Sequence, residues 1–485
     1  MSASLLPFLI LVLGLGLVLV LDLIKTSAEN SYRVALGTVS VALILEVFAL
    51  RGGRNEVWAP IERVLEFDLL SKGFSTLALF LAFLALGISW QSFDEEQTRP
   101  GEYYALMLTA TLGAVLVAHS EELLTFFLAF EMLSIPLYIL AGFRRYHRKS
   151  AEAGLKYFLS GALSSAVFLF GASWIFGASA STHYKDILAG YEQGHQQPII
   201  FGLLLIIGAF AFKISAAPFH MWAPDTYEGS PIPVAAFLSS VPKVAMFAAF
   251  IRILIAASDQ LSGELMLLLS ALSILSIVLG NLVALTQSEL TRLAAYSGVA
   301  QIGYILIGLS SFVLMEGAGR HVRAHEALGS LLFYLLVYTV TNMAFWVILL
   351  TVAKHRGSTQ LDAFNGLSQS SPYLAFALMI AAFSLAGVPP LAGFVGKLFL
   401  FRSGLQAQPL MAFFGVLGSV ISLYYYFNIL RRCYFLKPAD YDEPIELTPA
   451  TNGLLFLLLL LTFTGGLVPY ISESCFYLAE RMYIH

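Results

Sequence analysis

The sequence predicts an all-α polytopic membrane protein of about fourteen transmembrane helices, with two inverted five-helix repeats that each contain a broken helix. Three observations lead there. Hydrophobic residues make up 58% of the 485-residue chain and charged residues only 12%, where a soluble domain carries about 25% charged. A mean hydropathy of +0.79 is spread along the whole length, so the bilayer is the solvent for most of the protein. Apolar runs of about 20 residues, the length that crosses the hydrocarbon core as a helix, recur from one end to the other. The net charge of −4 argues against a nucleic-acid partner. Two cysteines, Cys433 and Cys475, are too few for a disulfide framework, an iron–sulfur cluster or a cysteine-rich zinc site.

Residues 1–100 read as an N-terminal three-helix segment with spans at 4–24, 33–50 and 71–91. The first is expected to be a retained helix and not a signal peptide, because Met1-Ser2-Ala3-Ser4 carries no Lys or Arg and the apolar run is too long. Residues 101–257 form a first five-helix repeat, with spans at 103–119, 122–142, 151–178, 198–221 and 231–256. Residues 258–436 form a second, with spans at 262–285, 291–314, 327–353, 372–402 and 409–434, and residues 437–485 hold a C-terminal helix at 450–471. Five is odd, so the second set enters from the opposite side of the membrane and is inverted. No connection is long enough for a soluble domain, which places function within the membrane or at its edges. Orientation follows from the Lys and Arg excess of cytoplasmic loops. The clearest cluster, Arg144, Arg145, Arg148 and Lys149 after the fifth span, makes that loop cytoplasmic and both termini periplasmic.

A charged group at membrane depth is costly, so ionisable residues within spans are functional candidates. Glu131 lies midway along span 5 in Phe-Glu-Met-Leu-Ser-Ile-Pro, and Lys213 lies in span 7 in Ala-Phe-Lys-Ile-Ser. Lys243 follows Pro242 in span 8, and Lys397 sits in span 12 in Phe-Val-Gly-Lys. One acid and three bases suit a proton relay, not a hydrolase. Burial disfavours a charged lysine and a nearby carboxylate favours it, so moving one against the other switches proton affinity. Arginine does not deprotonate and cannot do this. The competing reading is a static buried ion pair that only holds helices together. Lys156, four residues after Glu152 near the start of span 6, is a weaker candidate and also suits a snorkelling end residue. Glu46 and Asp22, towards the ends of spans 2 and 1, read as interfacial. His220, after Pro218 and Phe219, fits proton exchange or a structural hydrogen bond equally.

Spans 7 and 12, the fourth of each five, carry helix breakers beside a lysine: Lys213-Ile-Ser-Ala-Ala-Pro218-Phe-His220, and Gly387-Val-Pro389-Pro390-Leu-Ala-Gly393-Phe-Val-Gly396-Lys397. Proline removes a backbone donor and clashes with the preceding turn. Unwound backbone at that depth is tolerated only where it lines a cavity or is buried in protein. The polar stretch from Pro218 to Pro233 is too rich in turn residues to be helical throughout and reads as a cytoplasmic-side cap. It has no metal-ligand spacing, and no Gly-rich phosphate loop follows a strand anywhere.

At these residues the chain resembles the antiporter-like membrane subunits of the proton-pumping NADH-quinone oxidoreductase, respiratory complex I, and within them the N-type branch. The resemblance runs through nearly the whole chain. It is carried by Phe-Glu131-Met-Leu-Ser-Ile-Pro, by Phe212-Lys213 through Pro218-Phe-His220-Met-Trp-Ala-Pro-Asp225-Thr-Tyr-Glu228-Gly-Ser-Pro, by Tyr296-Ser297 with Gly303-Tyr304, and by Gly387 through Lys397. The resemblance implies that Glu131 pairs with Lys213, that Lys243 is the central relay lysine and that Lys397 exchanges protons with the far side. It further implies that this chain holds no cofactor, while FMN, iron–sulfur clusters and quinone belong to partner subunits. The implied partners are a neighbouring antiporter-like subunit, small membrane subunits and the bilayer of the bacterial inner membrane. Gln301 stands where the family pattern has a histidine before Gly-Tyr, and it cannot carry a proton in the same way. Subunits of multisubunit cation/proton antiporters and of membrane-bound hydrogenases are the alternatives.

Overall fold

The computed structural model describes residues 3–24, 27–51, 59–90, 100–437 and 444–481. The terminal residues whose periplasmic placement is expected lie outside them. The described chain is helical in every regular element except three isolated bridges, at Leu65–Ser120, Glu122–His183 and Glu289–Gln360. In order, the helices are α1 (Leu6–Leu23), α2 (Ala28–Arg51), α3 (Ala59–Glu62), α4 (Leu69–Ser89), α5 (Pro100–His119), α6 (Leu123–Ala141), α7 (Arg148–Ser179), α8 (Ala189–Glu192), α9 (Gln196–Lys213) and α10 (Trp222–Gly229). They continue as α11 (Ile232–Leu238), α12 (Val241–Ala284), α13 (Leu290–Gly317), α14 (His321–Arg356), α15 (Leu367–Ser370), α16 (Pro372–Ala386), α17 (Ala392–Ala407), α18 (Pro409–Phe435), α19 (Pro449–Leu467) and α20 (Pro469–Arg481).

Among the described residues twelve helical stretches are long and apolar enough to cross a membrane. One of them, Ile232–Ala284, covers 53 residues, far more than the roughly 20 one crossing needs. Its backbone leaves helical geometry at Leu261, with φ −121° and ψ 17°. The pair α16 and α17 is a single apolar run interrupted between Ala386 and Ala392.

Two compact units divide the chain: Met1–Ile214 with Gly229–Leu261, and Ser215–Glu228 with Ser262–Ile484. In the first, α7 and α9 approach through glycines. A Cβ on Gly171 would stand 2.7 Å from the Gly202 carbonyl and one on Gly202 2.7 Å from that of Gly171, the small-residue contact that lets membrane helices pack closely. The opposite face of α7 carries exposed Leu155, Phe158, Leu159 and Leu163, as a lipid-facing surface does. In the second unit, α13 and α14 are buried along almost their whole apolar windows and form its core.

Two expectations are corrected. The apolar run 231–256 is not one helix, because α11 ends at Leu238 and α12 begins at Val241. The described residues of 437–485 hold two helices, α19 and the amphipathic α20, where one is expected, and α20 packs on α14. Glu46, expected near a span end, is buried within the protein at 1% exposure, because Ser75 of α4 and His119 of α5 close over it.

Candidate functional site

Each central lysine stands at an interruption of a membrane helix, and proline sets the position of each interruption. The ring of a proline clashes with the carbonyl four residues back. For Pro218 that residue is Ile214, directly after the end of α9. For Pro242 it is Leu238, the end of α11, and for Pro390 it is Ala386, the end of α16.

Lys213 is the last residue of α9, followed by Ser215 in the left-handed region at φ 62°. Its side chain is buried. Nζ donates to Ser134 Oγ at 2.6 Å and to Tyr157 Oη at 3.2 Å. It also faces the rings of Phe130, Tyr138 and Tyr157 at 4.9, 5.4 and 5.3 Å, distances at which a cation is attracted to the ring face. Glu131, one turn before Ser134 on α6, accepts from Ser165 Oγ of α7. The expected Glu131–Lys213 pair is therefore not a direct ion pair. The carboxylate remains in electrostatic range of the ammonium, while Ser134 and Tyr157 take its hydrogen bonds. A hydroxyl both donates and accepts, but Ser134 gives its own hydrogen to the Phe130 carbonyl and Glu131 is bonded to Ser165, so acid and base sit in two separate hydroxyl shells.

Lys243 lies in the first turn of α12, buried and directly after the α11–α12 break. Ser239 and Ser240 both donate their hydroxyls back to the Ala236 carbonyl, at 2.8 and 2.7 Å. Such back-bonding competes with continuation of the helix and, with Pro242, ends α11.

In the second unit, Lys397 of α17 turns back onto the open end of α16. Nζ donates to the carbonyls of Leu385 and Ala386 at 2.9 and 3.0 Å and to Ser419 Oγ at 3.1 Å. It sits 4.5 Å from the centre of the Tyr304 ring. The last carbonyls of a helix have no intrahelical partner and carry the negative end of its dipole, so a lysine there satisfies both needs. Gly387, at φ 88°, turns the chain away from α16. Gly393 lets the start of α17 approach, since a Cβ there would strike the Ser384 carbonyl.

Gln301 joins the same site. Its Nε2 donates to the Leu385 carbonyl at 3.0 Å, and its Oε1 accepts from Tyr334 Oη. His220 is buried against Tyr296, with ring centroids 6.0 Å apart and no hydrogen-bond partner at Nδ1. Asp225 and Glu228 of α10 hold Arg292 of α13 at 2.7 and 2.9 Å, so the helical part of the polar stretch, Trp222–Gly229, is anchored, with non-helical residues on either side. Lys156 points outward, with Nζ 2.6 Å from Glu152 and the side chain 46% exposed.

The hydroxyl partners Ser134, Tyr157, Ser165 and Ser419, and the Tyr304 ring over which Lys397 sits, are absent from the sequence-based site candidates, for nothing about the polarity of a serine or tyrosine in an apolar run marks it. Lys72 and Arg252, which the sequence reading does not single out, have largely buried side chains on α4 and α12.

The family model described as NADH:quinone oxidoreductase/Mrp antiporter, TM matches residues 120–422. A protein of Moorella thermoacetica named NADH-quinone oxidoreductase subunit N is 37% identical over 459 residues, covering 94% of this chain and 93% of that one. A chain of respiratory complex I from Thermus thermophilus superposes with a TM-score of 0.77 at 31% identity, covering 96% of this chain and 98% of that one. A chain of the Mrp complex from Dietzia sp. DQ12-45-1b, 22% identical, shares the fold with a TM-score of 0.85 over 99% of this chain and 97% of its own.

Proposed function

The chain belongs to the family of NADH:quinone oxidoreductase and Mrp antiporter membrane subunits, and from that membership we propose how it moves protons. It is a proton-translocating membrane subunit of a bacterial NADH-quinone oxidoreductase and, in that sense, part of an enzyme. The antiporter and hydrogenase alternatives are not favoured, since relatives matching nearly its full length are named quinone oxidoreductase subunits.

One observation carries the relay reading: Lys213, Lys243 and Lys397 are all buried, and each lies where a membrane helix is interrupted. An interrupted helix exposes backbone groups and has two discrete ways to repack. A shift there changes the surroundings of an adjacent lysine, and with them its proton affinity. In this reading Glu131 biases Lys213 electrostatically, Lys243 is the central store and Lys397 exchanges with the far side. His220 is a further exchange group, while Lys156, exposed and paired with Glu152, plays the smaller part. Redox chemistry in partner subunits, which hold FMN, iron–sulfur clusters and quinone, drives the shift conformationally or electrostatically. A neighbouring antiporter-like subunit and small membrane subunits flank the chain.

Fourteen crossings follow if Ile232–Ala284 crosses twice and α16 with α17 once. The two sets of five, 101–257 and 258–436, are then inverted and both termini face the periplasm.

The test is NADH-driven proton uptake into inside-out vesicles carrying Lys243→Met, with quinone reductase rate and complex assembly followed in parallel. Turnover and proton uptake are expected to fall together by at least about tenfold in an assembled complex. Wild-type values of both in an assembled complex would leave these lysines as packing elements.

A further inference from the structure

The first unit contains a second group of buried ionisable residues, away from the three lysines. Glu46 of α2 and His119 of α5 are each 1% exposed. The carboxylate accepts from Ser75 Oγ of α4, and its Oε1 lies 3.8 Å from His119 Nε2. The imidazole is set by its other nitrogen. Nδ1 is 2.9 Å from the Val115 carbonyl, and a carbonyl can only accept, so Nδ1 carries the hydrogen and Nε2 is the free proton-accepting position. Nε2 is buried without a hydrogen-bond partner. Phe8 and Phe67 pack against the ring at 5.1 and 5.2 Å and fix its orientation towards Glu46.

This pair adjoins a charged cluster at the same end of α5. Lys72 of α4 is in electrostatic range of both Glu46 and Asp68. Asp68 takes Arg252 of α12 at 2.6 Å, Arg252 reaches Glu121 at 3.3 Å, and Glu121 meets the exposed Lys185 at 3.4 Å. A string of charges therefore runs from the neighbourhood of the buried pair to the exposed Lys185, with Arg252 as a fixed cation that holds Asp68 and Glu121 in place and passes no proton itself. A cluster that served packing alone would have no use for an acid facing an unpartnered imidazole nitrogen, because an unmet buried polar atom costs stability.

We propose that Glu46 and His119 form a further proton-binding site, which exchanges protons with the membrane face carrying Asp68, Glu121, Arg252 and Lys185. Transfer breaks the Glu46 O–H bond and forms N–H at His119 Nε2, leaving a carboxylate held by Ser75 beside an imidazolium. With the Arg144–Lys149 loop cytoplasmic, this face is the periplasmic one, so the site deepens the relay reading by giving the first unit its own outer-face exchange group.

The test compares assembled wild-type complex with Glu46→Gln, which keeps the shape and removes the proton, and with His119→Asn, whose amide keeps a donor for Val115 and lacks Nε2. Infrared difference spectra between oxidised and NADH-reduced complex read the carboxyl directly, and vesicle proton uptake reads the consequence. The expected result is loss of a carboxyl band in Glu46→Gln and a severalfold fall in proton uptake in both variants. An unchanged carboxyl region with wild-type uptake overturns the proposal, and so does failure of both variants to assemble, which assigns the cluster to packing. Lys243→Met run alongside separates the two readings. If it abolishes uptake while Glu46→Gln does not, only this inference falls; if neither variant has an effect, the relay reading falls with it.

Discussion

Lysine and arginine at position 397 would carry the same charge into the same cage of carbonyls, but only lysine can release its proton. Lys397→Arg is therefore expected to keep assembly and thermal stability close to wild type while lowering NADH-driven proton uptake at least about tenfold. If uptake survives in the arginine variant, Lys397 acts as a fixed cation. Outside the spans, Asp68 offers a contrast in pH. Burial would raise its carboxyl, but Arg252 and hydrogen bonds from Ser71 N and Oγ at 2.8 and 2.9 Å outweigh burial and hold it below the usual carboxylate range. A depressed acid stabilises the fold above its unfolded value, near pH 4, and loses that contribution as pH falls through its folded value. Asp68→Asn keeps the helix cap and removes the charge. It is expected to cost about 1 kcal/mol at neutral pH, because a third of the side chain is in solvent and screening takes most of the Coulomb energy. Thermal unfolding of the two proteins at neutral pH and below pH 4 should show that difference shrinking in acid.

At the scale of an element, a proline does not by itself end a helix. Pro136 lies inside α6, which continues through it, whereas α9, α11 and α16 all end four or five residues before a proline. What differs is the company: Ser215 at φ 62° before Pro218, Gly387 at φ 88° before Pro389, and before Pro242 two serines bonded to the one Ala236 carbonyl, where Pro136 follows the single back-bonding Ser134. This explains which breaks were legible. Spans 7 and 12 announce theirs with clustered Pro and Gly, while Pro242 in an apolar run looks like Pro136 until the hydroxyls of Ser239 and Ser240 are seen folded back. The lysines were legible because charge in an apolar run is costly. The burial of Glu46 was not legible because it depends on Ser75 and His119, which stand on other helices, and no spacing along α2 records that. Gly387→Ala tests the break beside Lys397. The left-handed conformation costs an L-residue about 1–2 kcal/mol, and the new Cβ would meet Lys397 Cδ at 3.0 Å. Thermal stability should fall by that amount and proton uptake severalfold, whereas unchanged uptake would mean that the shape of this end of α16 does not matter to Lys397.

For the molecule as a whole, orientation is what converts buried lysines into a direction of transport. An odd number of spans per repeat requires corresponding turns of the two repeats to face opposite sides. The turn between α6 and α7 corresponds to that between α13 and α14, and the first carries the basic cluster Arg144, Arg145, Arg148 and Lys149 that marks a cytoplasmic loop. Tyr146, 93% exposed in that turn, should then be cytoplasmic. Arg320, exposed after α13, and Lys185, 78% exposed one crossing beyond Tyr146, should be periplasmic. The two native cysteines are buried and can be replaced to give a silent background. In intact cells a membrane-impermeant thiol reagent is expected to modify Lys185→Cys and Arg320→Cys and to spare Tyr146→Cys, which should react only in inside-out vesicles. Labelling of Tyr146→Cys and Arg320→Cys from the same side would remove the inversion, and a full reversal of the pattern would turn the protein over. In that second case the Glu46–His119 end would open to the cytoplasm, and the same buried pair would exchange protons with that side in place of the periplasm.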